Sequence, residues 1–177
     1  FFFLDATGMD GAAYHDPGHD AGEAHGDAGH LAGINGAGLI GDARHRLWIY
    51  ERSLQEADLG CPAMHDLLWR FLVRSPAGRV RILVHNPDWL LNHSPRLMQL
   101  RERFAHLIEI RVANEEMALL TTALILADEE HYLKRNHFDW MRGEAGVGRR
   151  ELVLLENQFA LLWEHAGPPA GICPLGL

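Results

Sequence analysis

Apolar and polar positions follow two regimes, and the change falls near residue 44. Beyond it, Leu47-Trp48-Ile49-Tyr50 is a β-branched and aromatic run that predicts a strand. Pro62 suits a first helical turn, and Met64, Leu67, Leu68, Phe71 and Leu72 follow at helical spacing until Ser75-Pro76-Ala77-Gly78 stops them. Val80, Ile82 and Val84 alternate with Arg81 and Leu83, which predicts a second strand, apolar enough to be central. Ser94-Pro95 reads as an N-cap and proline opening a helix through Leu97, Leu100, Arg101 and Phe104. Ile108, Ile110 and Val112 alternate with Glu109 and Arg111 in a third strand. Leu119 to Ala127 predicts a buried fourth strand, Glu129-Glu130 a turn, and His131 to Arg135 a fifth strand. Leu152, Leu155, Phe159, Leu162 and Trp163 line one face of a last helix, ended by Gly167.

Strand, helix, strand, helix, strand is a βαβαβ unit, with right-handed crossovers and its first three strands parallel. The expectation is an α/β domain over residues 44–166, with a mixed, mostly parallel sheet flanked by helices and extended by the final hairpin. Residues 1–43 hold ten glycines, seven acids and no Lys or Arg, and read as a flexible segment. Gly167-Pro168-Pro169-Ala170-Gly171 breaks the chain before a short tail, so residues 167–177 form the third segment.

The net charge of −8 is set mainly by that first segment; residues 44–177 hold 17 acids and all 16 bases. Without a basic excess, nucleic acid is set aside as a partner. No apolar run is long enough for a membrane span, and Phe1-Phe2-Phe3-Leu4 is too short and lacks the basic flank of a signal peptide. Cys61 and Cys173 suggest two free thiols, and the expected location is the cytoplasm.

Val80-Arg81-Ile82-Leu83-Val84 with His85-Asn86-Pro87 resembles the second strand of a phospholipase-D-type repeat. Arg46-Leu47-Trp48-Ile49-Tyr50, Ile108-Glu109-Ile110-Arg111, Leu124-Ile125-Leu126-Ala127-Asp128, Tyr132-Leu133-Lys134-Arg135 and Leu161-Leu162-Trp163-Glu164 resemble a bacterial phospholipase-D-like domain of unknown function, sometimes attached to GNAT-type acetyltransferases. The resemblance implies a single phospholipase-D-type half over residues 44–166. Active members carry HxKxxxxD, in which the histidine is the nucleophile and the lysine offsets phosphoryl charge. Aligned on Asp128, Thr121 stands at the histidine position and Ala123 at the lysine position. The resemblance therefore weighs against an enzyme. It also implies a homodimer of halves and an acetyltransferase domain as partners.

Other chemistry is weaker. His15, His19, His25 and His30, interspersed with acids, are metal-ligand types, but Pro17 and Gly18 separate the first two and no cysteine joins them. Gly36-Ala37-Gly38-Leu39-Ile40-Gly41 spells GxGxxG without the preceding strand that motif needs. His85, Asn86 and Asp88 follow the second strand and Asn114 the third, where open α/β sheets bind ligands. Arg81 and Arg111 sit on neighbouring strands and suit an anion, with pairing to Glu109 as the competing fate. Trp89 and Trp140 fall in loops. The leading reading is a non-catalytic module, without a cofactor, that binds a partner protein or a small anionic ligand and regulates an associated acetyltransferase. The alternatives are a phosphodiesterase rearranged around His131, Asp128 and His85, and a metal-binding N-terminal segment.

Overall fold

The period-two apolar runs become strands and the period-3.6 runs become helices in the computed structural model, which describes residues 36–55, 60–114, 116–117, 120–139 and 143–170. In chain order the elements are α1 (Gly36–Asp42), β1 (Arg46–Glu51), α2 (Pro62–Arg74), β2 (Arg79–Val84), α3 (Asp88–His93), α4 (Pro95–Arg103), β3 (Ile108–Val112), β4 (Ala123–Ala127), β5 (His131–Arg135), β6 (Glu144–Gly146) and α5 (Arg149–His165). The six strands form one open mixed sheet in the order β3-β2-β1-β4-β5-β6. β1, β2 and β3 are parallel, while β4, β5 and β6 each run antiparallel to the strand before them in that order. The expected α/β architecture, a mixed sheet flanked by helices, is what the chain adopts.

The pleat sends alternate residues to two cores. Leu47, Ile49, Val80, Ile82, Ile108 and Ile110 pack on one face against Leu68, Phe71 and Leu72 of α2 and Leu97 and Leu100 of α4. Tyr50, Leu83, Leu124, Leu126 and Tyr132 pack on the other against Leu152, Leu155, Phe159, Leu162 and Trp163 of α5. Each fully buried side chain of this size contributes roughly 1.5–3 kcal/mol, so both faces are needed to hold the sheet.

Three details differ from the reading of the pattern. The folded part begins before residue 44: α1 buries Leu39 and Ile40, and Ala43 follows them into the core. Its glycines give close approach, since a Cβ at Gly36 would lie 3.2 Å from Ile125 Cδ1 and one at Gly41 3.3 Å from Leu67 Cδ2. Residues 1–35, with His15, His19, His25 and His30, lie outside the described residues. Trp89 is not in a loop but on α3, a six-residue helix burying Leu90. Ser94 makes no capping bond with its side chain; the helix start that is capped is α2, where Cys61 Sγ accepts from the Met64 N–H at 3.4 Å. No helix among the described residues is long and apolar enough to cross a membrane.

Candidate functional site

Three places gather the residues with chemistry: the two ends of the sheet and the part of its α5 face over β1, β2 and β3. At the first end, the parallel strands finish at Glu51, Val84 and Val112, and β4 begins beside β1. Thr121 and Ala123 therefore stand at this carboxyl end. Ala123 pairs across the ladder with Arg135, whose guanidinium is ion-paired to Glu51; both charged side chains are almost wholly buried. Arg135 Nη1 also donates to the Phe138 carbonyl at 3.0 Å. Phe138 is buried, edge-on to Tyr50 at 5.9 Å and to His85 at 5.4 Å. The end of the sheet is thus filled by side chains rather than open.

The Tyr50 hydroxyl and His85 Nε2 are 2.6 Å apart. Burial, then the neighbouring Arg52, holds the His85 imidazole below its usual range, while burial and Glu51 push the Tyr50 phenol up. Both effects favour a protonated phenol donating to a neutral ring. Arg52 lies 5.2 Å over the Phe138 ring and 2.7 Å from the Asp139 carboxylate, a hydrogen bond that holds Asp139 below its usual range. Asn86 Oδ1 accepts the Asp88 N–H at 2.8 Å, and Asn114 Oδ1 accepts the Met117 N–H at 3.1 Å. Those two asparagines serve local turns.

At the opposite end, Asp128 takes a left-handed conformation, φ 56°, in the β4–β5 turn. Its carboxylate accepts the backbone N–H groups of Arg44, His45 and Arg46 at 2.9, 2.7 and 2.9 Å, and its carbonyl accepts from the Arg46 guanidinium. Asp128 therefore ties the start of β1 to the hairpin. His131 begins β5 nearby, 3.9 Å from the Glu130 carboxylate. An open cavity of about 940 Å³ adjoins both, with acids and bases mixed along its wall. His85 does not join them. Asp128 lies past Leu47 on β4, whereas His85 lies past the Val84–Glu51 register pair, so the two are separated by roughly 15–20 Å of strand. The rearranged trio of His131, Asp128 and His85 is not a single site.

On the α5 face, three arginines cross the parallel strands on a diagonal. Arg46 on β1 lies 4.4 Å over the Trp48 ring. Arg81 on β2 sits between two indoles, 5.6 Å from Trp48 and 5.1 Å from Trp163. Arg111 on β3 lies 4.6 Å over the same Trp163 ring. Phe159 stacks on both tryptophans, at 4.9 and 5.7 Å, which fixes the rings. Arg46 is ion-paired with Glu156, and Arg111 with Glu109 at 2.7 Å. No acid lies within salt-bridge distance of Arg81 among the described residues, so the pairing with Glu109 falls to Arg111 alone. Arg81 and Arg111 were legible as a pair from their strands. Trp48 and Trp163, which hold Arg81 between them, were not; the signal was Trp48 facing Arg81 in register on β1 and β2. No group of three or more His, Cys, Asp or Glu side chains among the described residues forms a metal-binding cluster.

The family described as a domain of unknown function (DUF7931) matches residues 34–172, and the chain belongs to it. No curated protein matches the chain in sequence. Among solved structures, an archaeal chromatin protein, TrmBL2, whose structure shows a novel mode of DNA binding, is similar with a TM-score of 0.55 and 14% identity over 75% of this chain and 48% of its own. The chain thus spans about half the length of that protein. NucT from Helicobacter pylori is similar with a TM-score of 0.50 and 10% identity, over 75% of this chain and 87% of its own. At these identities the likeness is one of fold. It nevertheless corrects one expectation: a DNA-binding chromatin protein shares this fold, so nucleic acid is not to be set aside on net charge alone. Net charge averages over both faces of the sheet, whereas phosphate binding depends on a local surface.

Proposed function

We propose, with membership of that family as the starting point, that the protein is a non-catalytic phospholipase-D-like half that binds a small anionic ligand at Arg81. Three features argue against phosphodiester chemistry. Thr121 and Ala123 occupy the positions of the histidine and lysine in the resembling enzymes. The cation facing Ala123 across the ladder, Arg135, is buried and bound to Glu51, so it is not presented to a substrate phosphoryl group. Asp128, the remaining motif residue, is engaged by three backbone N–H groups.

The binding half of the reading rests on one observation: Arg81 is half-buried between Trp48 and Trp163 and has no acid partner among the described residues. An indole on either side orients the guanidinium without neutralising it. A planar, always-charged fork held in this way suits the oxygens of a phosphate or carboxylate. Arg111, on the same Trp163 ring, is the adjacent second cation.

The flanking indoles also provide the readout. Titration with inorganic phosphate and pyrophosphate, followed by tryptophan fluorescence, should give a saturable change. Arg81→Gln should weaken it about tenfold or more, as expected for a lost charge-assisted bond. Arg79→Gln, an exposed neighbour on the same strand, should leave it unchanged. No saturable change, or equal affinity in Arg81→Gln, would end this reading.

A further inference from the structure

Charge is divided unequally along the folded chain. Residues 61–106 contain seven arginines and three acids, whereas residues 107–170 contain six bases and eleven acids. The first span supplies α2 and α4, which cover one face; the second supplies α5, which covers the other. α2 and α4 together carry five arginines against Asp66 and Glu102. Arg96 and Arg103 are seven residues apart, which places them on one stripe of α4 about 10 Å apart along its axis.

The seam between the two helices adds aromatic surface. The Arg103 guanidinium lies 4.6 Å over the Trp69 ring of α2, and Trp69 meets Phe104 edge-on at 5.5 Å. Both rings are half-buried, and Arg70 stands exposed next to Trp69. Among the described residues, no ion pair engages Arg70, Arg96, Arg101 or Arg103. These four cations are therefore available to an external anion, whereas Arg74 on α2 donates to the Gly41 and Ala43 carbonyls.

From this we infer that the α2–α4 face docks nucleic acid through its phosphate backbone. The cations are all arginines, whose forks suit repeated phosphates, and aromatic rings lie among them at the seam. The surface is separate from the Arg81 site, which lies on the opposite face, and stands independently of it.

Anisotropy of a labelled mixed-sequence DNA duplex, titrated with the full chain at low and rising salt, tests the inference. The chain should bind, with log K falling linearly as log salt rises. Arg96→Glu with Arg103→Glu should abolish binding, and Arg96→Gln with Arg103→Gln should flatten the salt slope by roughly 1.8, the value for two lost phosphate contacts. Arg149→Glu with Arg150→Glu, exposed on α5, and Arg81→Gln should each retain affinity within about twofold, well short of losing a phosphate contact. Circular dichroism should find the variants folded, and the glutamine pair keeps the test valid if the glutamate pair is not. Failure of the wild type to bind at low salt would overturn the inference. So would equal loss in the α5 pair, or loss in Arg81→Gln with the α4 variants unaffected.

Discussion

Ala123 and Arg135 face each other across β4 and β5, so the cation opposite Ala123 comes from the neighbouring strand and is tied to Glu51. Removing one partner strands a buried charge, whereas removing both need not. Glu51→Gln should therefore destabilise the fold by about 3–5 kcal/mol, and Glu51→Leu with Arg135→Met by much less. Urea unfolding of the three proteins checks this. A single variant as stable as wild type would mean that the pair is not buried as described.

Asp128 gives a second stability prediction. Its carboxylate accepts from three consecutive backbone N–H groups, while its φ of 56° is a conformation that asparagine tolerates better than alanine. Asp128→Ala should cost about 2 kcal/mol or more, and Asp128→Asn distinctly less, because an amide oxygen can still accept. Denaturation midpoints read this order directly. The reverse order would remove the structural role assigned to this motif residue.

Burial of His85, with Arg52 beside it, makes stability depend on pH. The folded-state pKa of His85 is lowered, so between that value and the ordinary value of about 6.5 the unfolded chain binds the extra proton. The stabilisation is present above about pH 6.5 and is lost as pH falls toward the folded-state pKa. Thermal melts at about pH 7.5 and about pH 5.5 should show a larger fall for wild type than for His85→Asn, the difference isolating the imidazole. Equal falls would mean that His85 is not held neutral.

The strands of the βαβαβ unit, the final hairpin and helices α2, α4 and α5 were legible because each carries a period of two or 3.6 or, as in β1 and β4, a short run of strand-forming apolar residues. α1 was not. Three glycines in seven residues give it little intrinsic helix propensity, and packing of Leu39 and Ile40 supplies what propensity lacks. β6 is three residues long and includes Gly146, where a Cβ would lie 2.5 Å from the Tyr132 hydroxyl oxygen. Nothing in its pattern marks such a contact. Asn86 and Asn114 showed their loop chemistry in the sequence, and both side chains cap their own turns. The Glu51–Arg135 pair was hidden because a charge at a strand end reads as exposed; opposite charges closing two strands, at the ends of β1 and β5, were the available signal.

Hydrolysis of a chromogenic phosphodiester by the purified chain, with and without divalent metal and beside His85→Asn, tests the central claim most directly. The account predicts no turnover above the variant under either condition. Turnover by the wild type that disappears in His85→Asn would contradict it, placing catalysis at the filled carboxyl end of the sheet.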